Sequence, residues 1–422
     1  MRSPFDAGCN TGQNTANSAR LKYVNRVRFV AAFLLALLSC LAATIEPDPT
    51  KQKGAGRLFQ IHYGDNWGFM DRAGRIVIRP QFAIVGDFFN GMAVVGVLVG
   101  KAYKYCFIDE TGKTVIPCTF DAVRNFSEGM APVRVGRLWG YIDTSGKMVI
   151  QPQFQGTATF SNGLGRVEVW DRIQCMREWY TKDDAPGHLF AIHDSIFSLT
   201  TGCFPEHQRF GYVNRSGDLV IKPAFFMAQD FSEGFAAVRV EESAESRYAF
   251  IDRTGKIVIP AQFDQADAFS EGLAAVETGS RFESGQKVAG KWGFIDRSGN
   301  LVISPRFELA GTFSEGLARA CDDVGAWGFI DRTGRFAISP EYILAGDFSE
   351  GLAVVWSDKK SDDDDAAPPS AYIDRHGKKV LTLKRGHWPF SDGLTVAGED
   401  GKRVYVNKTG KVVARYEVNP GY

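Results

Sequence analysis

The stretch KWGFIDRSGNLVI, residues 291–303, decides the fold because the chain keeps returning to it. Its pattern is an aromatic, a small residue, an aromatic, an aliphatic, Asp or Asn, two polar residues and Gly. That pattern stands at 67–74, 105–112, 139–146, 210–217, 248–255, 292–299, 327–334, 370–377 and 403–410. The Gly-to-Gly steps are 38, 34, 71, 38, 44, 35, 43 and 33 residues, so the step of 71 marks an insertion. A fixed period of this length is the mark of a repeat architecture. The repeat therefore overrides any domain count taken from chain length.

Each copy continues alike. An aliphatic triplet follows the Gly, such as LVI at 301–303, and then commonly Pro and an aromatic, as Pro305 and Phe307. A Phe-Ser-Glu-Gly element comes next, at 126–129, 231–234, 269–272, 313–316 and 348–351. Its variants are FFNG at 88–91, FSNG at 160–163 and FSDG at 390–393, and an apolar stretch such as LAAV 273–276 follows. The reading is a three-stranded antiparallel meander per unit: GLAAV, then WGFID, then LVI. Alternation along a strand puts Trp292, Phe294 and Asp296 on one face and Ile295 on the other. Asp296 accepts backbone N–H groups ahead of it in the turn, and Gly299 takes the positive φ. The Pro, which has no N–H, is expected to end the third strand.

These residues resemble the WG repeat family, over roughly residues 57–416. The Trp-Gly pair itself stands at 67–68, 139–140, 292–293 and 327–328 and is degenerate elsewhere, as at Tyr105-Cys106 or Arg403-Val404. The resemblance implies a bacterial all-β repeat protein of binding or scaffold type. It brings no catalytic residue with it.

The fold expected is all-β: about nine three-stranded units in an open superhelical stack, with a closed β-propeller-like ring as the alternative. The open stack is preferred because 58–64 supplies the first strand of the first unit and 394–398 and 412–416 the first and third strands of the last, so the array begins and ends on whole units with no blade shared between the termini, and nine exceeds the usual number of blades. The last unit, polar and without Trp, reads as a capping repeat.

Recurrence also weighs the candidate sites. Asp296 is replaced by Asn214 and Asn407 in two units, which keeps backbone capping but removes charge, so a turn is the better reading than a base or ligand. The Glu of FSEG gives way to Asn90, Asn162 and Asp392, so it reads as a solvated turn residue, and Ser232 and its equivalents as turn caps. Trp67, Trp139, Trp292 and Trp327 fit a core between stacked sheets better than a sugar-binding ladder, each adjacent Gly making room for a neighbour.

Function is expected where the repeat breaks. The insertion at 170–209, in unit four, brings Trp170, Trp179, Tyr180, His188 and His193, a candidate partner-binding loop; no ligand spacing supports a metal there. The acidic loop 357–370 reads as disordered, with calcium as a lesser possibility. Cys175 with Cys203, and Cys106 with Cys118, are candidate disulfides that an exported protein permits.

Residues 1–43 combine a basic flank with the apolar run 29–43, as in a signal peptide. LLSC ending at Cys40 resembles a lipobox, making Cys40 the candidate lipidation site; LAA at 41–43 suits ordinary cleavage, and an uncleaved anchor is a third form. Residues 44–56 read as a linker and 417–422 as a tail. The 49 basic and 49 acidic side chains balance, which gives no electrostatic ground for nucleic-acid binding. No P-loop, dinucleotide-binding fingerprint, nucleophile elbow or zinc-protease motif occurs, and no cofactor is expected. The function expected is a non-enzymatic, exported scaffold of the cell envelope, in the periplasm, at the outer envelope as a lipoprotein, or secreted, binding a protein partner. The alternative is a polysaccharide- or peptidoglycan-binding module using exposed aromatics, and an enzyme site in unit four is the third reading.

Overall fold

A computed structural model describes residues 57–170, 208–241, 243, 246–283, 286–357, 370–383, 388–399 and 402–416. Cys40, Trp179, Tyr180, His188, His193, Cys175 and Cys203 lie outside the described residues. Among the described residues all regular structure is strand, with no helix. Nine small antiparallel sheets follow one another along the chain, and a two-stranded hairpin (Arg281–Glu283, Gln286–Val288) is added in the sixth unit.

Seven of the nine sheets have four strands rather than the three expected. In unit seven these are Leu309–Ser314, Leu317–Cys321, Trp327–Ile330 and Phe336–Tyr342, hydrogen-bonded in that order. The extra strand precedes FSEG and was hidden because it is often only two residues long, as at Gln265–Ala266. The first sheet (Phe59–Tyr63, Asn66–Met70, Ile76–Phe82) and the ninth (Leu394–Glu399, Lys402–Asn407, Val412–Tyr416) keep three strands.

The fourth strand runs through its Pro instead of ending at it. Trp327 pairs with Tyr342 and Phe329 with Ile338, so two steps on the third strand face four on the fourth. Pro340 sits at the centre of that bulge, where its missing N–H costs no ladder bond. The bulge also explains the Trp-Gly pair. A Cβ on Gly328 would lie 2.6 Å from the Ile338 carbonyl oxygen and 2.8 Å from the Pro340 nitrogen. The small residue thus makes room for backbone of its own sheet, not for a stacked neighbour.

Both faces of each sheet are buried. Phe294 packs with Phe313 and Ile330 of unit seven, whereas Ile295 packs with Phe250 and Ile259 of unit five. The aromatic of each third strand meets the FSEG Phe of the next unit: Phe107 and Phe126 have centroids 4.7 Å apart, Phe294 and Phe313 5.0 Å, Tyr372 and Phe390 4.9 Å.

The same contacts continue from the ninth sheet to the first, so the array closes into a ring and is not an open stack. Tyr405 packs on Phe59 at 5.5 Å and its hydroxyl donates to the Gln60 carbonyl at 2.8 Å. Phe59, Ile61 and Met70 share one buried cluster with Leu394 and Tyr405. Elsewhere each turn Gly rests on an aliphatic of the preceding unit, as Gly377 on Ile338; at the seam Gly74 (φ +84) rests on Val413. The last unit is therefore no cap. Closure needs no shared blade because side chains across the seam supply what strand pairing supplies in a clasp.

Candidate functional site

The two ends of the strands carry different chemistry. At one end lie the FSEG turn, joining first and second strands, and the D-x-x-G turn, joining third and fourth. At the other end lie the links from second to third strand and from each unit to the next.

The FSEG end is uniform. Glu233 and its equivalents adopt φ of about 50° and the Gly after them is also positive, the geometry of a two-residue hairpin turn that favours Asn, Asp and Gly. Glu is tolerated there because its carboxylate leaves the turn. Glu233 Oε2 accepts the Gly272 N–H of the next unit at 2.9 Å, and Glu315 accepts that of Gly351 at 2.9 Å. Asn162 does the same with Gly234 at 2.9 Å, so Asn there keeps the acceptor, while the Asn90 amide donates to the Phe126 carbonyl of the next unit at 3.5 Å; neither is merely a solvated turn residue. The Ser hydroxyl also reaches forward instead of capping its own turn: Ser232 donates to the Phe269 carbonyl at 2.7 Å.

Cations of the D-x-x-G turns complete this belt. Arg297 donates to Glu233 at 2.8 Å, Arg215 to Glu128 at 3.1 Å, and Lys408 lies 3.1 Å from Glu350. At the seam Arg57, where the chain has no FSEG of its own, reaches Ser391 and Asp392. The depression lined by Glu233, Glu271, Asp296 and Arg297 belongs to this end, and its polar groups are already engaged with one another.

Asp296 itself is scaffold. Its Oδ1 accepts the N–H groups of Ser298 and Asn300, both at 2.9 Å, and the Asn300 backbone bond is the main reason its carboxyl sits below the usual range. Asn214 accepts equivalent bonds at 3.0 and 2.9 Å without charge. Of the recurring Trp residues, Trp327 is buried, while Trp67, Trp139 and Trp292 are half-buried at the start of the third strand. The core reading thus holds fully for Trp327 and in part for the others. Among the described residues no group of His, Cys, Asp and Glu is suited to a metal ion.

The opposite end is where the units differ. The segments 171–207, 240–247 and 357–369, and the hairpin at 281–288, all connect second to third strands. In units one, two, three and seven that link is a short turn, as Gly136–Arg137. Trp170, half-buried, ends the second strand of unit four, and its Nε1 donates to Glu168 at 2.6 Å. Cys106 and Cys118 are disulfide-bonded, with Cα atoms 4.1 Å apart. They occupy the places that Gly328 and Pro340 hold in unit seven. Cys321 is buried, its Sγ 3.7 Å from the Asp322 carbonyl.

One feature at this level was not legible beforehand: charged pairs between neighbouring units near the first strands. Arg166 donates to Asp230 at 2.7 Å, and Arg319 lies 2.9 Å from Asp347. Asp267 stands near the second pair. Its burial raises its pKa to about 6, against the pull of Arg319 and with the push of Asp347.

The family pattern described as "WG containing repeat" matches at 67–97, 105–139, 139–169, 210–242, 248–282, 292–323 and 327–360, more than half of the chain. The chain belongs to the WG-repeat family. The two ends of this WG-repeat array, 57–66 and 361–416, fall outside those matches although they complete its ring. No curated protein matches. Solved structures of similar arrangement include a eukaryotic initiation factor (TM-score 0.45, 10% identity, covering 80% of this chain and 90% of that one). Apo AztD from Citrobacter koseri aligns with TM-score 0.39 and 11% identity over 86% and 95% of the two chains. The WD40 β-propeller domain of Doa1 aligns with TM-score 0.27 and 10% identity over 70% and 81%.

Proposed function

We propose that this WG-repeat protein is a non-enzymatic scaffold, exported to the bacterial cell envelope, that binds a protein partner through the end of the ring bearing the variable links. One observation carries the reading: every long departure from the repeat, at 171–207, 281–288 and 357–369, springs from the same end of the strands. The FSEG end offers little to a partner, since its Ser, Glu and Arg groups are spent on neighbouring units. Family membership supports a scaffold rather than a catalyst. The apolar run at 29–43 behind a basic flank supports export, with Cys40 the lipid-bearing residue if the leader ends there.

Cross-linking of the mature chain in envelope extract, read by mass spectrometry, tests this. Partner cross-links are expected within 171–207, 281–288 and 357–369. Cross-links concentrated on the D-x-x-G turns, at Lys113, Lys147 and Lys256, contradict it. Retention on peptidoglycan that survives removal of protein partners favours the carbohydrate reading instead.

A further inference from the structure

In the four-stranded units two positions lie level with the start of the third strand: the residue two before the FSEG Phe and the residue five after its Gly. In unit three both are Arg, at 124 and 134, and they flank Trp139. Unit six has Asp267 and Glu277 at these places, unit seven Gly311 and Cys321, and unit eight Gly346 and Trp356.

The Arg124 guanidinium carbon lies 5.4 Å from the Trp139 ring centroid and that of Arg134 5.8 Å. Both Nε atoms are buried without an acceptor. Arg134 has only a long 3.5 Å bond from Nη2 to the Asp121 carbonyl. The neighbouring carboxylates are occupied: Asp121 by Lys104 at 2.6 Å and the Gly136 N–H at 2.6 Å, Asp230 by Arg166 at 2.7 Å. Arg319, over Trp327 at 5.5 Å, differs in having a counterion: its Nε also makes no hydrogen bond, but Asp347 lies 2.9 Å from it, and its Nη1 donates to the Ala345 carbonyl at 3.0 Å. Burial, and then Arg166, push the Arg124 pKa down, against the pull of Asp230.

A buried donor without an acceptor loses hydration and gains nothing in return, and two on one indole call for a common acceptor. We propose that Arg124, Arg134 and Trp139 form a binding site for a carboxylate. The planar guanidinium groups match carboxylate oxygens, and the indole edge covers the carbon that bears them. The site lies at the variable end, since Arg134 stands two residues before Gly136 of the 136–137 turn, yet it stands whether or not the long links bind a partner.

Calorimetry on the full mature chain at constant ionic strength tests it, with acetate, hexaglutamate and inorganic phosphate as probes. Saturable carboxylate binding is expected, weakened at least tenfold in R124Q and in R134Q, and unchanged in R319Q. Hexaglutamate binding at least tenfold tighter than acetate assigns the site to an acidic segment of a protein; equal affinities assign it to free small carboxylates. Circular dichroism and melting verify that each variant folds, and R124K replaces R124Q if that one does not, with the same loss expected because Lys lacks the fork. The proposal is overturned if neither carboxylate binds, if both bind the variants as they bind the wild type, or if phosphate alone shows the Arg-dependent binding.

Discussion

Asp331 shows what the repeated turn asks of one residue. Its Oδ1 accepts the Thr333 and Arg335 N–H groups at 2.8 and 3.1 Å, bonds that an amide oxygen makes equally well. D331N is therefore expected to leave urea-denaturation stability unchanged, whereas D331A loses about 1 kcal/mol. Asp267 carries the opposite sign. Its folded pKa of about 6 exceeds the ordinary 3.8, so the folded chain holds the proton more tightly than the unfolded one. The destabilisation it causes is absent below the lower value, grows as pH rises between the two, and is complete above about 6. D267N is expected to raise stability at pH 7.5 by about 3 kcal/mol and to change little at pH 4. A gain independent of pH would contradict the assignment. The turn Asp was legible in the sequence because Asn214 and Asn407 isolate its role. Asp267 was not, because its environment comes from units seven and eight, far away in sequence.

At the scale of the element, the bulge joins sequence and structure most tightly. Gly and Pro occupy the two facing places in units one, three, four, six and seven; unit two has Cys106 and Cys118, and unit five Ala249 and Ala261. Units eight and nine lack the Pro, and Ala371–Thr382 and Val404–Arg415 there pair in ordinary register. G328A is thus expected to cost about 2–3 kcal/mol, since backbone must shift to admit a methyl group. G328C/P340C, by contrast, is expected to form a disulfide like that of unit two. Thiol counting on the oxidised, unfolded chains checks this: as many free thiols in the double variant as in the wild type mark success, and two more refute the equivalence of the two sites. Spacing disclosed the unit and its turns, yet it missed the first strand, whose two residues in several units carry no periodicity to read. It also misplaced the Pro, because a strand that bulges around it looks in sequence like a strand that stops.

For the whole molecule the informative place is the seam, which no single unit contains. Whole units at both termini pointed to an open stack, and that inference assumed that a ring closes only through shared strand pairing. Here closure rests on Tyr405 with Phe59, on the Tyr405 hydroxyl with the Gln60 carbonyl, and on Arg57 with Ser391 and Asp392. Each is a seam version of a contact made between other units, so the ring is a consequence of one interface geometry repeated until it meets itself. No joint between sheets has a backbone ladder, but the seam alone is not crossed by the chain from one sheet to the next, which makes it the weakest joint. F59A removes a buried ring and is expected to cost about 3–4 kcal/mol; R57A leaves Asp392 without its cation and costs less. In both variants amide exchange should rise first in 58–82 and 394–416, while units four to six keep their protection. Uniform loss of protection in F59A would mean that the ring opens as one cooperative body, and no change in either variant would mean that the first and ninth sheets do not meet in solution.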